Sequence, residues 1–203
     1  MKRILPDSAL LLWDMSETPD EMALLLPPAF ADVSEIRSQR RRRELLATRL
    51  LLCAAGCDLH RYSHGPHGEP HIDDPRYRHI SVSHSNRIAG ILLGRSAPVG
   101  LDIENMNRNF IRVEHKYLSE NERINARKIP DGHGIYWCIK EALYKISNIF
   151  SKPETFGTFF VGDITVDLNK KCQPKVRLAA ANQKLKFEIL RFDEQAVVCI
   201  ALN

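Results

Sequence analysis

Three short segments concentrate the residue types that do chemistry. The first is Val99-Gly100-Leu101-Asp102-Ile103-Glu104. It reads as a strand, and on a strand residues i and i+2 share a face. Asp102 and Glu104 then point one way while Leu101 and Ile103 point into a core. Two neighbouring carboxylates repel each other unless a cation lies between them. An oxygen-only pair suits Mg²⁺, which takes one or two carboxylates and fills its shell with phosphate oxygens and water. The alternative reading is a plain solvated strand face.

The second segment is Trp137-Cys138-Ile139-Lys140-Glu141-Ala142-Leu143-Tyr144-Lys145. On a helix, Trp137, Glu141 and Lys145 fall at i, i+4 and i+8, one stripe, with Lys140 about 100° around on the flank. A Glu–Lys pair at this spacing is often a surface pair contributing a few tenths of a kcal/mol. A tryptophan on the stripe argues against full exposure and for a cleft or interface. There, one carboxylate and two ammonium groups could supply a third metal ligand or a base, and phosphate contacts. The third segment, Ile80-Ser81-Val82-Ser83-His84-Ser85, alternates small hydroxyls with Val82 and His84 at a strand end. Such groups bind phosphate oxygens. A Ser–His nucleophile is the rival reading, but the glycine-flanked elbow of hydrolases is missing.

These segments need elements to hold them. The chain has 203 residues, 44% apolar and 27% charged, which supports one domain or two small halves and excludes disordered and low-complexity classes. No run approaches 18 apolar residues, so no membrane span is expected. The start, MKRILPDSALLLWDM, reads as a strand at Leu10–Trp13 rather than a signal peptide. A 3.6-residue period predicts a helix over 33–55 with Gly56 as its stop. Residues 60–75, rich in His, Gly and Pro, read as loop. Strands follow at 80–83, 88–93 and 99–103. Mixed polar sequence with a short helix covers 105–130, and a second long helix covers 134–149. Strand-like runs at 156–161, 164–166, 175–180, 184–190 and 196–202 close the chain. The order strand, helix, strands thus occurs twice, an α+β plan with a seam near 95–100.

Net charge is +4, and the excess is local: Arg37 and Arg40 to Arg43 put five arginines in seven positions. That suits a small polyanion or an acidic protein partner better than bulk DNA. The five cysteines are odd in number, lack a CxxC pair and sit mostly in apolar runs, as expected of buried thiols in a reducing cytosol. His60, His64, His67 and His71 are irregularly spaced and read as a polar loop rather than a zinc box.

Taken together and in order, SVSHS at 81–85, VGLDIE at 99–104 and WCIKEALYK at 137–145 resemble the 4′-phosphopantetheinyl transferase superfamily. Gly68-Glu69-Pro70 looks like that family's Gly-Lys-Pro loop, with Glu69 departing from the usual basic residue. Arg43-Glu44-Leu45-Leu46-Ala47-Thr48-Arg49 looks like its basic helix. The chain length is similar to the larger single-chain class. That implies two α+β halves, 1–96 and 97–203, related by a pseudo-two-fold axis, each a small antiparallel sheet packed on a long helix, in a monomer.

The resemblance implies a cytoplasmic transferase that moves the phosphopantetheine arm of coenzyme A onto a serine of an acyl or peptidyl carrier protein, releasing adenosine 3′,5′-bisphosphate. It implies Mg²⁺ held by Asp102, Glu104 and Glu141. Glu141 is the implied base, and Lys145, with Lys140 as a second contact, meets the phosphates. Ser83 and His84 are expected at the phosphates, Gly68 and Pro70 at the adenine, and either Arg43 or Arg49 at the 3′-phosphate. No nucleic acid or membrane partner is expected. The rival readings are an inactive coenzyme A or carrier-binding protein of the same fold, a nucleic-acid-binding basic helix, and a Mg²⁺-dependent phosphodiesterase or nucleotidyl transferase. The last would not require the Ser-His-Ser and Trp-x-x-Lys-Glu-Ala patterns together.

Overall fold

A computed structural model describes residues 5, 7–147, 159–166, 172–178 and 185–202. The chain runs β1 (Ser8–Asp14), α1 (Pro19–Leu24), α2 (Pro28–Ala31), α3 (Gln39–Ala54), β2 (Tyr62–His64), β3 (Pro70–Ile72), β4 (His79–His84) and β5 (Ile88–Gly94). It continues with β6 (Val99–Asn105), α4 (Glu120–Ala126), α5 (Gly132–Ser147), β7 (Phe159–Val166), β8 (Cys172–Leu178), β9 (Leu185–Phe192) and β10 (Gln195–Leu202). The expected strands are present, most of them a residue or two longer than the apolar runs that announce them. The runs at 156–161 and 164–166 are one strand from Phe159, with a register shift between Val161 and Ile164. The expected positions 148–149, 156–158, 179–180 and 184 lie outside the described residues.

Two expectations need correction. The helix expected from 33 begins at Gln39, because Ser38 caps it by accepting from the Arg41 amide, and Asp32 holds the Ser34 amide in a local turn. Its end is as expected: Gly56 has φ +70°, the Gly56 amide donates to the Cys53 carbonyl and the Cys57 amide to that of Leu52. This double bond closes a helix around a left-handed residue. Residues 60–75 are not wholly loop, since β2 and β3 form a short hairpin. Three-residue strands made of Tyr, Ser, His, Pro and Ile give no period to read.

Two three-stranded antiparallel sheets carry the fold, ordered β1-β5-β4 and β6-β10-β9. Each order is the first, last and penultimate of five consecutive strands. Alternation divides each strand between two faces. Ala9, Leu11, Ile91 and Leu93 pack with Leu46, Leu51 and Leu52 of α3. Val198 and Ile200 pack with Ile139, Leu143 and Ile146 of α5. The opposite faces meet each other: Leu10 and Leu92 against Leu101, Ile103 and Val197. The layers are therefore helix, sheet, sheet, helix. Burying each such leucine or isoleucine contributes about 1.5–3 kcal/mol.

The seam between the sheets positions the site. β4 and β6 lie side by side without a backbone ladder. The Leu101 amide donates to Ser81 Oγ at 2.9 Å and the Ile103 amide to Ser83 Oγ at 3.1 Å. Two hydroxyls spaced i, i+2 thereby satisfy two edge donors of β6. On its other face β6 touches α5 at Gly100, where a Cβ would come within 2.1 Å of the Ala142 carbonyl oxygen. No larger residue permits this approach, which brings Asp102 and Glu104 under the Trp137–Glu141–Lys145 stripe.

Candidate active site

The three acidic and basic segments meet where β6 crosses α5. Lys145 Nζ donates to Asp102 Oδ1 at 2.9 Å and to the Leu101 carbonyl at 2.7 Å. Ser83 Oγ donates to the same Asp102 oxygen at 3.1 Å. Asp102 Oδ2 is buried with no hydrogen-bond partner among the described residues. Two positions along β6, Glu104 Oε1 accepts from Trp137 Nε1 at 2.9 Å and from Arg108 at 2.8 Å. Arg108 also lies 5.3 Å over the Trp137 ring, so the indole is covered by a cation rather than by water.

Glu141 stands between these pairs, half-buried. Burial, then the negative charge of Asp102, raises its affinity for a proton; Glu104 adds to this, and Lys145 opposes it. Glu104 is likewise held above the ordinary carboxylate range, first by burial and then by Asp102. Glu104 and Glu141 thus both feel the charge of Asp102 in partly desolvated surroundings. An acid cluster with one orphaned buried oxygen and two reluctantly ionised carboxylates has the donor chemistry of a hard divalent cation. The expected three-acid cage is not preformed: among the described residues no group of three or more His, Cys, Asp or Glu side chains is set to hold a metal ion. The reason is local, since Lys145 draws Asp102 and Arg108 draws Glu104.

Lys145 also lines a cleft of about 890 Å³ between α3, the β2–β3 hairpin, β4 and the end of α5. Gly68, Pro70 and His84 line it as well. His84 Nε2 lies 2.9 Å from Thr48 Oγ1, whose own proton goes to the Glu44 carbonyl. Thr48 therefore accepts from Nε2–H, which leaves Nδ1 as the bare nitrogen. Burial, reinforced by Lys145 and Arg41 and opposed by Glu44, lowers the imidazole from its ordinary 6.5 to about 4. It is neutral at pH 7. Folding resists its protonation, so its contribution to stability is complete above pH 6.5 and is lost as pH falls toward 4. Urea midpoints measured across that window should fall in the wild type and fall less in His84→Gln. Equal slopes would contradict a buried neutral imidazole.

Several expected site residues lie elsewhere. Ser83 is buried between the sheets, both sides of its hydroxyl engaged, and does not face the cleft. Lys140 is 1% exposed and donates to Glu122 at 2.9 Å and to the Tyr117 carbonyl, on the side of α5 away from the acids. A 100° rotation on the helix suffices for this. Arg43 donates to the Met15 carbonyl and Arg49 to that of Phe30, so both brace the segment that precedes α3. Glu69 folds over its own turn, accepting from the His67 amide, with Oε1 3.5 Å from His71. Its side chain is thereby committed locally, though it borders the cleft.

Sequence reasoning missed Arg41 and Arg78, which both line the cleft. Arg41 donates to Glu44 at 3.2 Å and is otherwise exposed. The available signal was helical spacing: Arg41, Glu44, Leu45 and Thr48 share one face of α3. Nothing in a run of four arginines says which one faces the cleft until the sheet is placed.

The sequence model of the 4′-phosphopantetheinyl transferase superfamily matches residues 98–201, half of the chain. The chain belongs to this superfamily. The match begins just before β6 and ends in β10, so it contains Asp102, Glu104 and the whole α5 stripe. Among solved structures, a holo-(acyl-carrier-protein) synthase from Bacillus anthracis str. Ames, in complex with CoA (3′,5′-ADP), is similar at 20% identity and a TM-score of 0.39, covering 51% of this chain and 93% of that chain. No curated protein matches the chain. Small antiparallel sheets backed by helices are the superfamily member's architecture here, and no helix among the described residues is long and apolar enough to cross a membrane.

Proposed function

We propose that the protein transfers the phosphopantetheine arm of coenzyme A to a serine hydroxyl of an acyl or peptidyl carrier protein, with Mg²⁺, releasing adenosine 3′,5′-bisphosphate. The observation that carries this reading is the junction itself: Lys145 lines the cleft and donates to Asp102, whose negative charge Glu104 and Glu141 both feel. Asp102, Glu104 and Glu141 are the residues that would hold the ion. When bound, it supplies Lewis-acid charge to the diphosphate.

The chain's own groups perform the rest. Lys145, 28% exposed, offers its remaining proton to a phosphate oxygen. Glu141, with no hydrogen bond from any described residue, takes the proton of the acceptor serine. The serine oxygen bonds to the phosphorus that carries the arm. The anhydride bond on the nucleotide side breaks, and its electron pair leaves with adenosine 3′,5′-bisphosphate. His84 offers Nδ1, a neutral acceptor, to a hydroxyl or to a protonated phosphate oxygen. Gly68 and Pro70 form the wall for the adenine.

Arg41, not Arg43 or Arg49, is the arginine for the 3′-phosphate, because it is the one that faces the cleft. Arg41→Glu should weaken coenzyme A binding about tenfold or more in a titration at low salt. Arg49→Met should leave that affinity unchanged while costing about 1 kcal/mol of stability through the freed Phe30 carbonyl. The opposite pattern would restore Arg49 to the site.

The two halves, 1–96 and 97–203, are related by a pseudo-two-fold axis. Their shared strand order, first–last–penultimate, and the long helix packed on each sheet support this. The protein acts as a cytoplasmic monomer, with no nucleic acid or membrane partner. Chromatography of a reaction with coenzyme A, Mg²⁺ and an apo carrier should reveal adenosine 3′,5′-bisphosphate only when the carrier retains its serine. Tight coenzyme A binding without product would instead identify an inactive binder.

A further inference from the structure

The alternating serines at 81, 83 and 85 have three different duties. Ser85 Oγ closes the turn after β4, accepting from the Arg87 amide at 3.2 Å and the Ile88 amide at 2.9 Å. Ser81 Oγ accepts from the Leu101 amide and Ser83 Oγ from the Ile103 amide, one donor of β6 each. Of the three, Ser83 does one thing more. A hydroxyl has a single proton and two lone pairs, and this proton goes to Asp102 Oδ1 at 3.1 Å. Ser83 thus grips β6 twice, at the backbone of Ile103 and at the side chain of the residue before it.

Asp102 is held unevenly. Its Oδ1 takes two donors, Ser83 from β4 and Lys145 from α5, while Oδ2 is buried with no hydrogen-bond partner among the described residues. The two donors are not equivalent. Lys145 is 28% exposed and lines the cleft, so its ammonium answers to any anion that enters there. Ser83 is 7% exposed, and its proton is committed to Asp102. It cannot turn away without also breaking its bond with the Ile103 amide. Opposite Ser83 on β5 stands Gly90, where a Cβ would come within 2.7 Å of Ile103 and of Leu12. The two sheets are therefore packed close at this level. His84, the next residue, points to the other face of β4 and lines the cleft. One strand thus carries a cleft residue and the anchor of the acid at adjacent positions.

We propose that Ser83 is a positioning residue: it fixes the Asp102 carboxylate with Oδ1 pinned and Oδ2 bare, the orientation in which Asp102 serves as an ion ligand. The inference rests on the ion reading above and adds the residue that aims one of the ligands. Hydrogen-bond partners of a ligating carboxylate are worth about 10–100-fold in metal affinity or activity. A phosphate contact, the role that the sequence motif suggests for Ser83, would need its hydroxyl in the cleft, whereas both sides of that hydroxyl face the seam.

The test compares Ser81→Ala with Ser83→Ala in the full chain. Each variant strips a buried acceptor from one β6 amide, so their urea midpoints should fall by similar amounts. Only Ser83→Ala also frees Asp102. Mg²⁺ is titrated calorimetrically into protein saturated with coenzyme A, with a coenzyme A blank subtracted. Saturation matters because Ser81 borders the cleft. The Mg²⁺ Kd should rise about tenfold or more in Ser83→Ala and stay within about twofold of wild type in Ser81→Ala. Should Ser83→Ala not fold, Ser83→Cys, which fills the space with a weaker donor, is read in its place against the same expectation. Wild-type Mg²⁺ affinity in the folded Ser83 variant, or an equal loss in Ser81→Ala, overturns the positioning role and leaves the ion reading standing. A wild type that binds no Mg²⁺ overturns the ion reading and this role with it.

Discussion

Asp102→Asn should lower carrier modification by at least about a hundredfold while leaving the fold intact, the scale at which removal of one preorganised charged group acts on a transition state. Asparagine keeps the shape of a side chain that is 5% exposed and preserves an acceptor for Lys145 and Ser83. What it removes is the negative charge at the acid cluster, including the orphaned Oδ2. Asp102→Ala is the poorer test. It strips the partner from a partly buried ammonium and adds a stability defect to the catalytic one, about 1–3 kcal/mol for an unsatisfied polar group. Single-turnover transfer and coenzyme A titration, run on one preparation of Asp102→Asn, separate lost chemistry from lost binding. Wild-type turnover in that variant would remove Asp102 from the reaction.

Lys140→Ala should behave in the opposite way. Lys140 and Glu122 form an ion pair with side chains 1% and 4% exposed. Deleting one member of a buried pair leaves the other charge stranded, which costs about 3–5 kcal/mol. Glu122 has further duties: it accepts from the Ser119 amide at the start of α4 and from the Val161 amide in β7, so the pair holds α4, α5 and β7 together. The urea midpoint should fall sharply. Transfer by the remaining folded fraction, measured at low temperature, should stay near wild type. A variant that keeps its stability but loses coenzyme A affinity would return Lys140 to the phosphates. Lys140 and Lys145 thus look alike in the sequence motif but differ in kind in the structure.

That contrast marks what a sequence can and cannot reveal. The i, i+4, i+8 stripe on α5 and the i, i+2 acids on β6 are consequences of backbone periodicity, so Trp137, Glu141, Lys145, Asp102 and Glu104 were legible as a set. So were the repeated strand–helix–strand order and the stop at Gly56. The flank of α5 was not, because whether Lys140 meets ligand or core depends on where α4 and β7 lie. Ser81 and Ser83 carry the same lesson. Alternating hydroxyls signal a shared face, but only the nearness of β6 turns that face into a seam with Leu101 and Ile103 rather than a phosphate cradle. Among the arginines, charge alone could not separate Arg41 from Arg43 and Arg49, which lie on other faces of α3 and serve the carbonyls of Met15 and Phe30. The β2–β3 hairpin was hidden because three-residue strands are too short to express a period.

The most direct measurement is the intact mass of an apo carrier protein after incubation with the full-length chain, coenzyme A and Mg²⁺, beside the same mixture with a chelator. A gain of one phosphopantetheinyl group on the carrier's serine, absent with chelator and absent in a serine-to-alanine carrier, is the predicted result. Unmodified mass across acyl and peptidyl carriers, from a folded enzyme shown to bind coenzyme A, would contradict the account.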